Sequence, residues 1–389
     1  MHTKRLLTAL LALCLTYGVA AQEMESVAGV DAHSLSLFNA GNWKTLLNYG
    51  KEKISAGIDF PLLRMRTGYA AFMLGNYAAS LVQYKKVYDA DPANSTALYY
   101  VYLDNIYLNN TSAARYYAGK LPVETRTKEK IDKFRISGVD GEFSYKMPDD
   151  PSRGNATYER IGLSIQGGYK LELQQSGALF AQHLSEPYLL RVVNNRNINN
   201  NQKEYYAKLT FSATGELALL AGYHYIYTPY NNLLYNNNLY FGGIQFSSPF
   251  VQVKAMAAFG NMTDTSYHQA DLTLTLLPLG NTKLYLISRA ASGDVFTFSQ
   301  VAGYRVAKQL WLEGHVTLGH YRNLLENDAL YVFNDIDTKQ FKAGGGFYLT
   351  FAKKGLLSFN YTFDQKLKIG STGIFFNQHS LNTALSWKF

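Results

Sequence analysis

The last ten residues of the chain, Ser380 to Phe389, have the pattern of a β-strand with one apolar face. Successive side chains of a strand point to opposite faces, so the two faces can be assigned directly. One face carries Leu381, Thr383, Leu385, Trp387 and Phe389, and the other carries Asn382, Ala384, Ser386 and Lys388. A terminal strand in lipid cannot leave an unpaired edge, so a membrane barrel pairs its last strand with its first. The pattern favours such a closing strand; an ordinary amphipathic strand is the alternative.

The same stretch resembles the C-terminal assembly signal of bacterial outer-membrane barrels. That signal has a polar residue, a small residue two positions on, and aromatic residues at the third-last and last positions. Here these are Asn382, Ala384, Trp387 and Phe389, with alanine where the family prefers glycine. The resemblance implies outer-membrane lipid and the barrel assembly machinery as partners.

Aromatic composition points the same way. The chain has 31 Tyr and 22 Phe against 3 Trp, and its mean hydropathy is -0.16. Tyrosine suits an interface that is apolar at one end and wet at the other, as in the aromatic belts of membrane barrels. The low mean hydropathy argues against a helical membrane protein but not against a barrel, whose strands give half their residues to a polar lumen.

The N-terminus predicts a secretory signal peptide over residues 1–21. Lys4 and Arg5 precede an apolar run, and small residues before Gln22 suggest a cleavage site there. Loss of the two bases lowers the formal net charge from +8 to +6. The only cysteine, Cys14, lies inside the predicted signal, so the mature chain would have no disulfide and no cysteine-based metal site.

Residues 22–124 predict short helical repeats. Gly41 and Trp43 recur as Gly75 and Tyr77 after 34 residues, which is the spacing of tetratricopeptide repeats. The middle copy continues with Tyr84 and Pro92, which resemble that family's helix-packing and helix-ending positions. A degenerate third copy would start near Asn109, without the glycine and the aromatic of the turn. Such repeats present a concave face to a partner, but their tyrosines are better explained by packing between helices.

After a charged linker at residues 125–133, residues 134–389 alternate in the manner of membrane strands. Arg160–Glu172 shows the pattern best, and short connections alternate with mostly longer, polar ones such as Arg322–Gln340. Short turns on one side and long loops on the other are typical of outer-membrane barrels. The fold class predicted is therefore helical repeats followed by an antiparallel transmembrane β-barrel of about 14 strands, with 12 or 16 as alternatives, since single-chain bacterial barrels have even numbers.

With the apolar faces toward lipid, the alternation predicts an inward set rich in bases. The bases are Arg160, Lys170, Lys208, Lys254, Lys283, Arg289, Arg305, Lys342, Lys366 and Lys388. The inward acids are Glu172, Asp271, Glu313 and Asp364. This excess predicts an electropositive lumen that attracts anions. A lumen filled by ion-paired side chains, inert to transport, is the alternative.

Enzyme chemistry has little support in the sequence. His379 and Ser380 beside Asn382 resemble residues of outer-membrane phospholipases, but neighbours on a strand point to opposite faces and cannot pair. Glu313, His315 and His224 are inward, and such scattered groups are usually polar lining rather than a metal site. We therefore predict no catalytic residues, no metal, no cofactor and no nucleic-acid partner.

The combination resembles the architecture of exopolysaccharide exporters and of smaller YaiO-like barrel proteins. The resemblance implies an outer-membrane channel or export component whose repeats, in the periplasm, recruit an unknown protein or polymer. A polysaccharide or an anionic solute would pass through the barrel. The alternatives are a non-conducting structural adaptor of an envelope or secretion machine and, with less support, a barrel enzyme acting on lipid or glycan.

Overall fold

The computed structural model describes residues 26–131, 133–186, 196–230 and 233–389. The predicted signal peptide, including Cys14, lies outside the described residues. Within the described residues, seven helices come first: α1 Val27–Asn39, α2 Trp43–Ser55, α3 Pro61–Met73, α4 Tyr77–Ala90, α5 Ser95–Tyr107, α6 Thr111–Ala118 and α7 Val123–Lys128. No helix of the described part of the chain is both long enough and apolar enough to cross a membrane.

In the described part of the chain, fourteen strands follow and close into one antiparallel barrel. They are β1 Phe134–Pro148, β2 Arg153–Gly167, β3 Leu171–Glu186, β4 Arg196–Ser212, β5 Leu217–Tyr230, β6 Leu233–Ser247, β7 Val251–Met262, β8 Thr265–Leu276, β9 Leu284–Ser292, β10 Phe296–Ala307, β11 Leu310–Glu326, β12 Tyr331–Phe351, β13 Gly355–Leu367 and β14 Phe375–Lys388. The predicted fold class and strand number are confirmed. We call the barrel end at which β1 begins the proximal end and the opposite end the distal end.

The closing seam joins β1 to β14. Glu142 lies opposite Ala384, and Val139 lies opposite Trp387. The Asn382 side chain donates a hydrogen bond to Glu142 across the seam, and the Phe389 amide donates to the Ser137 carbonyl at 3.2 Å. The terminal stretch therefore pairs on both edges, with β13 and with β1, and leaves no free edge.

The outer surface of the barrel is apolar because the strands alternate in register. Large exposed hydrophobic side chains occur on strands all around it, among them Phe143, Ile161, Leu179, Leu209, Leu219, Ile244, Phe259, Leu272, Phe298, Leu312, Phe359 and Leu385. Ile161 is 77% exposed, whereas Tyr206 and Phe241, which point inward, are almost fully buried.

The helices repeat with a period of 34 residues. α1, α3 and α5 start at Val27, Pro61 and Ser95, and α2, α4 and α6 start at Trp43, Tyr77 and Thr111. The turns between paired helices contain Gly41, Gly75 and Asn109 at φ of 66°, 71° and 59°. Asn109 thus adopts the left-handed conformation that glycine takes in the first two copies, and asparagine tolerates it better than most residues. The assignment to the tetratricopeptide family stays a prediction.

Aromatic rings pack the repeats together. Tyr84 is buried and stacks on Tyr100 at 4.5 Å between ring centroids, while Gly68 faces its ring so closely that a Cβ there would lie 3.0 Å away. Tyr77 stacks on Tyr107, also at 4.5 Å. Trp43 packs edge-on against neighbouring rings of the first two copies, and the exposed Pro92 lies in the turn between α4 and α5. These positions pack helix against helix.

The helical repeats dock on the proximal turns of the barrel. The Arg115 guanidinium lies 2.7 Å from the Glu172 carboxylate, and the Asn281 side chain donates to the Gly75 carbonyl at 2.8 Å. Leu277, from the β8–β9 connection, is 3% exposed and belongs to the hydrophobic core of the helices. α7 extends from Val123 to Lys128, across the predicted start of the linker.

Candidate functional site

The β11–β12 hairpin crosses the lumen. Its turn, residues 327–330, contacts β4 and β5, which lie across the fourteen-strand barrel from β11 and β12, and β7, which is four strands from β11. The sequence predicts a polar outer loop over Arg322–Gln340. The structure instead extends the strands to Glu326 and from Tyr331, and folds the hairpin inward.

Asp328 at the hairpin tip neutralises two wall lysines at once. Its carboxylate accepts a hydrogen bond from Lys208 on β4 at 2.8 Å and another from Lys254 on β7. The carboxylate side chain is 7% exposed. Two cations that share one buried anion depend on it, because removing that anion would leave both charges unpaired.

Polar side chains of the wall also hold the backbone of the tip. Gln269 on β8 accepts from the Leu325 amide and donates to its carbonyl, both at 3.0 Å. The Tyr206 hydroxyl donates to the Asp328 carbonyl at 3.0 Å, and His224 Nδ1 lies 2.7 Å from the Ala329 carbonyl. Since a carbonyl oxygen only accepts, His224 carries a proton on Nδ1 in this contact.

The tip packs on an apolar part of the inner wall. Leu325 and Ala329 are completely buried, and they cluster with Tyr206, Leu239, Phe241, Met256, Ala258, Met262 and Tyr267. Tyr206 and Phe241 stack with 5.8 Å between ring centroids. Wall glycine makes room for this ring: a Cβ on Gly222 would lie 2.1 Å from the edge of Phe241.

The returning strand of the hairpin adds acids that meet further wall bases. Asp337 accepts two hydrogen bonds from Arg153 at 2.7 and 2.8 Å, and Asp335 lies 3.3 Å from the Lys366 ammonium. At the seam side, the Tyr331 hydroxyl donates to Glu142 at 2.7 Å. The hairpin is therefore held by side chains on both sides of the lumen rather than by a strand ladder.

A cavity of about 650 Å³ remains around the hairpin in the lumen. Nine acidic side chains line it: Glu142, Glu204, Asp271, Glu313, Glu326, Asp328, Asp335, Asp337 and Asp364. Seven basic side chains line it: Lys146, Arg153, Lys254, Arg289, Lys339, Lys342 and Lys366. The excess of bases predicted from the strands alone is therefore not found around this cavity, because the hairpin brings its own acids into the lumen.

Nine of the ten predicted lumen bases fall into three groups, and the tenth, Lys388, is exposed at the proximal end of β14. Lys254, Arg289, Lys342 and Lys366 line the cavity. Arg160 and Lys208 are bound to acids, Arg160 to Asp140 and Glu142 and Lys208 to Asp328. Lys170, Lys283 and Arg305 lie at the proximal strand ends, each over an aromatic ring. A role for any of them toward a free anion stays a prediction.

The remaining polar candidates are not brought together. Glu313 accepts from Tyr285 at 2.6 Å and from Tyr348 at 3.0 Å, whereas His315 lies 3.4 Å from the Thr362 hydroxyl. His379 bonds the outward Tyr361 hydroxyl at 2.7 Å, and Ser380 lines the cavity. Among the described residues, no three His, Cys, Asp or Glu side chains are placed to hold a metal ion.

Sequence reasoning missed the hairpin tip, although its composition carried a hint. The segment assigned to an outer loop contains Glu326, Asp328, Asp335 and Asp337, while the strands predicted an unbalanced set of inward bases. Unpaired charges in an enclosed space are costly, so a nearby acidic segment is a candidate counter-charge. That argument could have placed the segment inside the lumen, but not identified which lysines it meets.

No protein-family model matches the chain, and no curated protein matches it. Solved structures with a similar fold include a FadL homologue of Pseudomonas aeruginosa, with 8% identity over 71% of this chain and 92% of that one, at a TM-score of 0.45. The translocator domain of the autotransporter NalP from Neisseria meningitidis has 11% identity over 73% of this chain and 99% of that one, at a TM-score of 0.31. CdiB from Escherichia coli has 9% identity over 64% of this chain and 63% of that one, at a TM-score of 0.38. At these identities and TM-scores the likeness carries no conclusion about function.

Proposed function

We propose that this protein is an outer-membrane transport barrel whose lumen is closed by the β11–β12 hairpin and whose helical repeats face the periplasm. The apolar outer surface supports the membrane location. A surface of this kind, continuous around a barrel, is not tolerated in water, whereas lipid removes the cost of exposing it. The contacts of the repeats with the proximal turns, such as that of Arg115 with Glu172, support a position of the repeats outside the bilayer.

The single observation that carries the transport proposal is how the tip is held. Asp328 bridges Lys208 and Lys254 from across the lumen, and side chains rather than strand pairing hold the hairpin there. Side-chain contacts can be exchanged for water without breaking the barrel ladder. A barrel that only anchored a scaffold would have no need of a separable segment across its lumen.

The charge pattern of the cavity restricts which solutes it can favour. Most cavity charges are paired with one another, so the cavity does not select anions along its whole length. Passage of a polysaccharide or an anionic solute, which the resemblance implies, therefore depends on local groups. Recruitment of a periplasmic protein or polymer by the repeats remains part of the proposal.

Planar-bilayer conductance tests the closure. We expect the full mature chain to conduct little, Asp328→Asn to show transient openings, and a variant with residues 323–338 replaced by a short Gly-Ser turn to conduct steadily. Asp294→Asn, in the exposed distal β9–β10 connection, is the matched control and should behave as the unmodified protein. If the shortened variant carries no current even after removal of residues 22–130, the channel proposal is wrong.

One observation favours the adaptor as a second candidate. Met73, Leu74, Ile106 and Tyr107 form an exposed apolar group at the ends of α3 and α5. Exposed apolar groups of this kind mark protein contacts. The adaptor hypothesis predicts a co-purifying periplasmic protein that is lost in Met73→Ser with Ile106→Ser and kept in Val27→Ser, at the exposed start of α1. Monodisperse protein without a partner from native membranes would count against it.

A further inference from the structure

We propose that the wall cradle occupied by the hairpin tip is a binding site for a small organic carboxylate with an apolar body, which binds in place of Asp328. The cradle consists of Lys208, Lys254, Tyr206, Phe241 and Met256. The tip is its present occupant and shows what the cradle accepts: a carboxylate next to an apolar group. This site adds a ligand class to the proposed transport function. Binding itself does not require that function; only the expectation that hairpin release opens a channel rests on it.

The two lysines of the cradle form a binding site for one anion. Lys208 and Lys254 are on β4 and β7, with β5 and β6 between them, and both reach the same Asp328 carboxylate. The described residues show no other acid within ion-pair distance of either ammonium group. When the tip leaves, two partly buried cations face the lumen without a counter-charge. A ligand carboxylate restores the lost pairing, which a neutral solute cannot do.

The floor of the cradle is apolar and favours a ligand with an apolar body. Between the two lysines, Phe241 on β6 covers Gly222 on β5 and stacks on Tyr206. Met256 lies beside them, and the buried Ala329 of the tip packs against this surface. An inorganic anion would pair with the lysines but leave the rings exposed to water, so it would lose the apolar part of the binding free energy.

Ligand binding and hairpin release are then coupled. The tip and the carboxylate compete for the same lysines, so the ligand binds only the fraction of molecules whose tip has left. The apparent dissociation constant of the unmodified protein is the intrinsic one divided by that fraction. The turn also holds three consecutive non-glycine residues, Asn327, Asp328 and Ala329, at φ of 52°, 58° and 57°. This conformation is costly for L-residues, which favours release once the cradle contacts are replaced.

Titration calorimetry on the full mature chain in lipid nanodiscs tests the site, with hexanoate as the probe. Hexanol, which lacks the charge, and inorganic phosphate, which lacks the apolar body, are the comparison compounds. We expect hexanoate to bind Asp328→Asn at least about tenfold more tightly than the unmodified protein, because loss of the carboxylate weakens the hold of the tip and raises the fraction of molecules with an open cradle. In Asp328→Asn, hexanol and phosphate should each bind at least about tenfold more weakly than hexanoate, since each supplies only one of the two contacts.

Variants locate the binding. Lys208→Gln with Lys254→Gln should abolish hexanoate binding, whereas Lys283→Gln, a base at a proximal strand end, should leave it unchanged. Heat-modifiable migration in detergent gels shows whether each variant has a folded barrel. If the double variant does not fold, Phe241→Asn tests the apolar floor, and hexanoate affinity should fall toward that of phosphate.

The outcomes separate this inference from the proposed function. Hexanoate that binds Asp328→Asn no better than hexanol, or no better than phosphate, overturns the carboxylate site even if the hairpin-shortened variant conducts. Tighter binding of a blocked Leu-Asp-Ala peptide than of hexanoate would assign the cradle to a protein segment and also overturn it. Conversely, selective hexanoate binding without any current would keep the site and remove the channel.

Discussion

At the scale of single residues, the barrel interior and the helical repeats handle buried charge differently. In the lumen, the Arg153 guanidinium and the Asp337 carboxylate form a buried, doubly hydrogen-bonded pair. In the repeats, Asp104 is completely buried, and no base of the described part of the chain pairs with it. Burial raises its pKa to about 8, with the Ser80 hydroxyl opposing part of the shift. The lumen carboxylate is stabilised by its partner, whereas Asp104 is more stable when it is protonated.

Asp104 therefore makes the repeats sensitive to pH. Its pKa is raised in the folded state, so the folded state keeps a proton that the unfolded chain releases near pH 4. The stabilisation is complete below that pH and is lost as the pH rises to about 8, at up to about 1.4 kcal/mol per pH unit. We expect thermal unfolding of the helices, followed by circular dichroism, to occur at lower temperature at pH 8 than at pH 5.

The variant Asp104→Asn should remove most of this dependence, because an amide does not titrate. Glu124→Gln, an exposed acid of α7, should leave the dependence in place. Equal slopes of the free energy of unfolding against pH in Asp104→Asn and the unmodified protein would show that another group is responsible.

At the scale of elements, the helical hairpins depend on one backbone conformation at each turn. Gly41 and Gly75 provide it without steric cost, and Asn109 provides it in the third copy. The sequence predicted this copy as degenerate because the glycine was missing. The structure shows that asparagine fills the same place, so the helix period continues through residue 111.

Substitutions at these turns should follow the backbone rather than the side-chain contacts. Gly75→Ala is expected to cost about 1–2 kcal/mol of unfolding free energy, because a Cβ is unfavourable in the left-handed region. Asn109→Gly should be neutral or slightly stabilising for the same reason. Urea unfolding followed by circular dichroism at 222 nm measures both, and a destabilised Asn109→Gly would mean that the asparagine side chain itself is needed.

The β11–β12 hairpin illustrates an element whose secondary structure is local but whose position is not. The alternation of its residues predicts strands in either location, outside or inside the lumen. Its position depends on contacts such as Asp328 with Lys208, which lies 120 residues away in the chain. No window of sequence contains both partners.

At the scale of the whole molecule, helices and barrel share a hydrophobic core. Leu277 belongs to the β8–β9 connection, and its side chain is buried among the helices with Tyr84, Leu98 and Tyr117. The ion pair of Arg115 and Glu172 and the Asn281 hydrogen bond to Gly75 also join the helices to the proximal turns. The repeats are thereby fixed to the proximal rim rather than tethered by a flexible linker.

Shortening Leu277 should consequently destabilise the helices although the residue belongs to a barrel connection. We expect Leu277→Ala to lower the unfolding free energy of the helices by about 2–5 kcal/mol, the range for removing a buried leucine. Leu279→Ala, in the same connection but 44% exposed, should change it by less than about 0.5 kcal/mol. Hydrogen exchange of α4 and α6, with barrel migration in gels as a folding check, distinguishes the two. Equal protection in both variants would contradict a shared core.

The sequence by itself determined the fold class, because each barrel strand and each helical pair is encoded by a period among neighbouring residues. Alternation in Ser380–Phe389 marked the closing strand, and the 34-residue recurrence marked the helical pairs. Only the tertiary structure decided that the β11–β12 hairpin lies inside the barrel, that its acids neutralise the predicted bases, and that Leu277 joins the helices to the rim. Those features depend on pairs far apart in the chain, such as Arg153 and Asp337, 184 residues apart. Such pairs are specified by charge and shape only after the barrel has closed and brought them together.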